Sequence, residues 1–180
     1  MTESTDPGWR PALPVALRIL GLRRPSGSLL IVLRAAVIFL SVAAAGTAVI
    51  ALILGAGSEE PRITGATAQL LLGAAVIAAA SVIVVTGREA PDVRTGGHLG
   101  YWLFTVTMRR VLAAAAVGPV GFLLSWMAGA GSYVIFGSGV AILLMAVVAP
   151  TRDRLTAWQA EVNETGADIA VLDALSLLYR

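Results

Sequence analysis

Apolar positions in this chain fall into long uninterrupted blocks. Residues 35–57, 66–86, 111–128 and 132–150 carry no charged side chain. At ~1.5 Å per residue, a helix over each block comes close to the ~30 Å of a bilayer's hydrocarbon core. Only Gly129-Ala130-Gly131 separates the last two blocks, so they should pair closely. The pattern predicts an all-α integral membrane protein with four transmembrane helices, at about 29–57, 66–86, 101–128 and 132–150. These form two antiparallel hairpins within a membrane domain, 29–150, with short amphipathic cytoplasmic helices in the flanking segments 1–28 and 151–180. Residues 42–45 loosely resemble a signal cleavage site. The apolar run outlasts a signal core of ~7–15 residues, however, and the first span reads as an uncleaved anchor.

The flanks have a different pattern. Residues 1–8 are polar and expected to be disordered. Residues 9–24, WRPALPVALRILGLRR, mix leucines with arginines. A helix with Pro14 in its first turn, ending before Pro25, would be basic and amphipathic. It suits an anionic membrane surface, although a flank that only sets topology needs the same arginines. Ser26-Gly27-Ser28 is placed to cap the first span. Beyond Pro150, Leu155, Trp158 and Val162 form an apolar stripe at helical spacing. Residues 163–166 read as a stop. A last helix over 168–180 would present Ile169, Leu172, Leu175 and Tyr179 on one face. Its acids disfavour anionic lipid and point to docking on protein, either this chain's own loop, a second copy or a larger subunit. The larger subunit is the favoured partner.

Charge gives the orientation. Arg10, Arg18, Arg23, Arg24 and Arg34 lie at the entry to span 1. Arg88, Arg94, Arg109 and Arg110 lie between spans 2 and 3, and Arg152, Arg154 and Arg180 follow span 4. Between spans 1 and 2 there is only Arg62. The positive-inside rule therefore places both termini in the cytoplasm. Trp9, Arg18, Arg23, Arg24, Arg109, Arg110 and Trp158 are the expected membrane-interface residues. All 13 basic residues are arginine, in an alanine-rich chain. That usage points to the inner membrane of a bacterium with a GC-rich genome. The net charge of +2 gives no reason to expect nucleic-acid binding.

Span 3 is the most irregular. If Tyr101 and Trp102 mark the membrane interface, Arg109 and Arg110 lie roughly 12 Å deeper. If residues 100–108 run along the surface, the arginines themselves mark it. The second reading is favoured, because a charge at mid-bilayer costs at least ~2.5 kcal/mol. Pro119 should kink this span. Gly121, Ser125 and Gly129 recur every four residues and invite close helix approach, with Gly137 and Ala141 as the matching small face on span 4.

Chemistry is sparse. The spans contain no Asp or Glu, which argues against proton or sodium coupling by this chain alone. Their polar groups include Ser41, Thr47, Gln69, Ser81, Ser125 and Ser138, expected to hydrogen-bond along or between helices. There is no cysteine, and His98 is the single histidine. No P-loop, GxSxG, HExxH or CxxC pattern occurs. No catalytic, cofactor-binding or metal site is therefore expected. The reading that follows is a non-catalytic structural or accessory subunit, in contact with lipid and with a larger membrane protein or further copies of itself. The alternative is an oligomeric pore, or a carrier or flippase for an anionic or lipid-like substrate, motivated by Arg34, Arg109, Arg110 and the Pro119 kink.

Overall fold

The computed structural model describes residues 6–20, 27–53, 55 and 60–177. Among these, seven helices and no strand occur: α1 (Ala12–Leu20), α2 (Leu29–Ile53), α3 (Gly65–Thr86), α4 (Gly96–Ala128), α5 (Ser132–Val148), α6 (Arg152–Glu164) and α7 (Val171–Leu175). Three of them, α2, α3 and α4, are long and apolar enough to cross a membrane. A fourth span meets the same length only if α5 is counted together with α6.

The chain divides into two compact units, Met1–Phe39 with Arg88–Met108 and Ala149–Arg180, and Leu40–Gly87 with Arg109–Val148. The first unit has a small apolar core. Leu33, Leu99 and Leu175 are fully buried in it, with Leu103, Val162 and Val171 nearly so. Burying one such side chain is worth ~1.5–3 kcal/mol. A second cluster packs Ala12, Val15 and Ala16 of α1 against Ala35 of α2. The second unit instead carries large apolar side chains on its surface. Leu70, Ile77, Phe136 and Leu143 are each at least 65% exposed. A contiguous apolar exterior of this kind suits lipid and not water, and is compatible with a multi-pass membrane protein.

Local chemistry sets the ends of the helices. Pro14 sits in the first turn of α1, where its missing N–H costs nothing. Ser28 Oγ accepts the Ile31 N–H at the start of α2, and Thr64 Oγ1 accepts that of Thr67 at the start of α3. α4 stops at Gly129, whose φ of 68° is left-handed, and the Ala130 N–H returns to the Ser125 carbonyl.

Three segments depart from expectation. Residues 100–108 are not a separate surface helix: α4 is unbroken over 33 residues and continues through Pro119. At ~50 Å it exceeds the hydrocarbon thickness, and its first part carries Leu99 and Leu103 into the core of the first unit. The last helix has five residues, Val171–Leu175, and not the expected 168–180. Residues 168–170 stay non-helical because Gln159 holds them, as described below. The N-terminal tail is not wholly disordered, because residues 6–8 have defined partners.

Candidate functional site

In the first unit the chemistry converges on Arg34. Its side chain sits on the first turns of α2 and is completely buried. A guanidinium has five N–H donors, and each has an acceptor here. Nε donates to the Pro150 carbonyl at 3.2 Å. Nη1 donates to Asp6 Oδ1 at 2.6 Å and to the Gly8 carbonyl at 2.7 Å. Nη2 donates to Asp6 Oδ2 at 3.0 Å and to Pro150 O at 3.1 Å. The Trp9 ring covers the guanidinium carbon, with its centroid 5.2 Å away, an attractive cation–π placement. Desolvating an arginine costs several kcal/mol, which a bidentate carboxylate and further hydrogen bonds can offset. The hydrogen bond from Arg34 holds the Asp6 carboxyl below its ordinary range, helped by the Gly8 N–H and opposed by partial burial.

Sequence reasoning missed Asp6. The absence of acids from Pro7 to Gly57 hid the fact that residue 6 folds back onto the helix. The usable signal was Asp6-Pro7-Gly8-Trp9, an aspartate at a turn with an aromatic beside it. Asp6 Oδ1 accepts the Gly8 N–H at 2.9 Å, as such turns do.

The rest of this unit is closed by another side chain that sequence reading passed over. Gln159 Nε2 donates to the Ile169 carbonyl, and its Oε1 accepts the Val171 N–H at 2.8 Å, fixing the strand-like approach to α7. A Cβ at Gly100 would run into the Ala174 carbonyl, so α7 lies directly on α4 backbone. Of the partner-contact candidates, Leu175 is therefore fully buried in this chain's own core, and Ile169 and Leu172 are partly buried against it. Their apolar face is used internally, because α4 offers it the bare backbone of Gly100, which carries no side chain, and the leucines beside it. Tyr179 lies outside the described residues, as do Arg23 and Arg24. Trp158 packs on the same core. His98 pairs locally with Thr95, whose Oγ1 accepts the His98 N–H and lies 2.8 Å from Nδ1.

In the second unit Arg110 is buried at the end of α3. Its Nε donates to Thr86 Oγ1 at 3.0 Å and its Nη2 to the Thr86 carbonyl at 2.7 Å. A cation at a helix C-terminus satisfies orphan carbonyls and complements the dipole. Arg109, one position earlier, is exposed.

Of the small-residue positions, Gly121, Ser125, Gly137 and Ala141 lie where α4 and α5 meet, whereas Gly129 ends α4. An added Cβ at Gly121 would lie 2.5 Å from the Tyr133 carbonyl oxygen and 2.9 Å from Gly137 Cα. Ser125, fully buried, accepts the Val134 N–H at 2.8 Å, and Ala141 lies 3.9 Å from the Cβ position of Gly118. Thr47 donates back to the Ala43 carbonyl, whereas Ser138 is buried with no hydrogen-bond partner among the described residues. Among the described residues no group of three or more His, Cys, Asp or Glu side chains is placed to hold a metal ion. Comparison with protein families, with characterised proteins and with solved structures gave no match.

Proposed function

We propose that this chain is a small non-catalytic membrane protein that serves as a structural or accessory subunit of a larger bacterial inner-membrane complex. In this reading α2 to α5 are four spans in two antiparallel hairpins, with both termini cytoplasmic. The 17 residues of α5 reach ~25 Å, at the short end of what spans a bilayer. The arginine bias supports the orientation.

One observation carries the functional reading. Arg34, fully buried in the first unit, spends every donor on Asp6, Gly8 and Pro150. A saturated guanidinium cannot take up an anionic substrate without giving up bonds that hold the fold. Arg110 likewise serves the end of α3. Two of the three arginines that would motivate a pore or carrier, Arg34 and Arg110, are thus engaged in architecture. The test is flux: the purified protein in liposomes should pass neither ions nor labelled anionic lipid above the rate of empty vesicles. Saturable flux that survives a change of preparation would replace this reading with the pore or carrier.

A further inference from the structure

We infer that the second unit binds a phospholipid with an anionic headgroup, with one acyl chain lying in a groove between α3 and α4. This goes beyond the accessory-subunit reading and does not depend on it. The groove encloses about 280 Å³ and is lined only by alanine and valine. Ala79 and Val117, both nearly fully buried, form its floor. Ala75 and Val120 stand at one end, Val82 and Ala113 at the other. From Ala75 to Val82 the helix rises ~10 Å, about a third of the hydrocarbon thickness. A trough of that length, lined by small side chains on a surface rich in exposed Leu, Ile and Val, fits a length of hydrocarbon chain.

The charge at one end selects the lipid class. Arg110 stands three residues before Ala113 on α4, and its partner Thr86 stands four residues after Val82 on α3. Both continue the helical rows that line the groove. The Arg110–Thr86 contact therefore crowns the end nearest Val82 and Ala113, with the exposed Arg109 beside it. Only their positive charge is required of these arginines: a headgroup with a net negative charge is drawn to them, at ~1 kcal/mol per cation beside an anionic surface, whereas a zwitterionic headgroup carries its own cation. By the arginine bias this end faces the cytoplasmic leaflet.

The test uses the full-length protein, delipidated in non-ionic detergent and titrated in native mass spectrometry. The probes are dioleoyl phosphatidylglycerol, dioleoyl phosphatidylcholine and inorganic phosphate. Two cations near the headgroup predict a preference for phosphatidylglycerol over phosphatidylcholine of about tenfold or more at one site per chain. Ala78→Phe with Ala116→Phe fills the groove from its exposed rim and should abolish that site. Arg109→Gln should leave the chain bound but lower the headgroup preference several-fold. Inorganic phosphate should neither bind alone nor compete. Equal retention of the two lipids by the unaltered protein would overturn the inference, as would full binding by the rim-filled variant. Dimerisation that Ala116→Phe abolishes, with no lipid retained, would assign the groove to a second copy and also overturn it.

Discussion

Replacing Gly121 by alanine adds a single methyl group where the structure has no room. The new Cβ would stand 2.5 Å from the Tyr133 carbonyl oxygen and 2.9 Å from Gly137 Cα. Ordinary contact needs ~3.5–4.0 Å, so α4 and α5 must separate locally by roughly 1 Å. Both opposing atoms are backbone, so no side chain can rotate away. Overpacking a tight core costs ~1–3 kcal/mol, and an unyielding backbone places this site at the upper end. The better helix propensity of alanine returns at most ~1 kcal/mol. The net expectation is a loss of about 2 kcal/mol, roughly 4–8 °C in Tm for a chain of this size. Gly139→Ala is the internal control, because nothing lies within 4 Å of its Cβ position. It should be neutral or slightly stabilising. Thermal unfolding in mild detergent, followed by circular dichroism, reads both. Gly121→Ala with Gly137→Ala should cost less than the sum of the two, since they break one contact. Equal midpoints for Gly121→Ala and Gly139→Ala would refute the close packing.

Three further outcomes are expected. Arg34→Met should destabilise by on the order of 3 kcal/mol, and Asp6→Asn with Arg34→Met by clearly less than the sum of the single changes; additive losses in thermal unfolding would show that the pair is not coupled. Because the folded pKa of Asp6 is lowered, its stabilisation is complete above the ordinary carboxylate range and is lost only as pH falls through the lower folded value; fluorescence of a variant keeping only Trp9 should therefore stay flat down through that range, and a transition at or above it would contradict the Asp6–Arg34 pairing. In intact cells Glu60→Cys should react with an impermeant thiol reagent while Asp92→Cys and Thr165→Cys do not, and the reverse pattern would overturn the orientation.

The long apolar helices were legible because the length a helix needs to cross a bilayer is a pattern that composition alone reveals. The stop at 163–166 was legible for a local reason: Gly166 takes a left-handed φ of 77° after α6. The close approach at Gly121 and Gly137 was legible as spacing, since small residues every four positions form one stripe. What composition could not carry was contact between distant segments. Asp6 and Arg34 are 28 residues apart, and Arg34 and Pro150 are 116 apart, and no periodicity links them. The short α7 was misjudged for the same reason. An amphipathic pattern reports that a face will be buried but not against what, and here Gly100 and Gln159 bring it onto the chain itself. The length of α4 was underestimated because Tyr101, Trp102 and Arg109 resemble interface residues, although the helix begins at Gly96 and continues through all of them.

The central claim is that this protein completes a larger membrane assembly. It is tested most directly by affinity purification of the full-length chain from native membranes in mild detergent, with quantitative mass spectrometry of what is retained. The account predicts one larger membrane protein recovered at a constant ratio to this chain across independent preparations. Recovery of the chain alone, or only as an oligomer of itself, would contradict it.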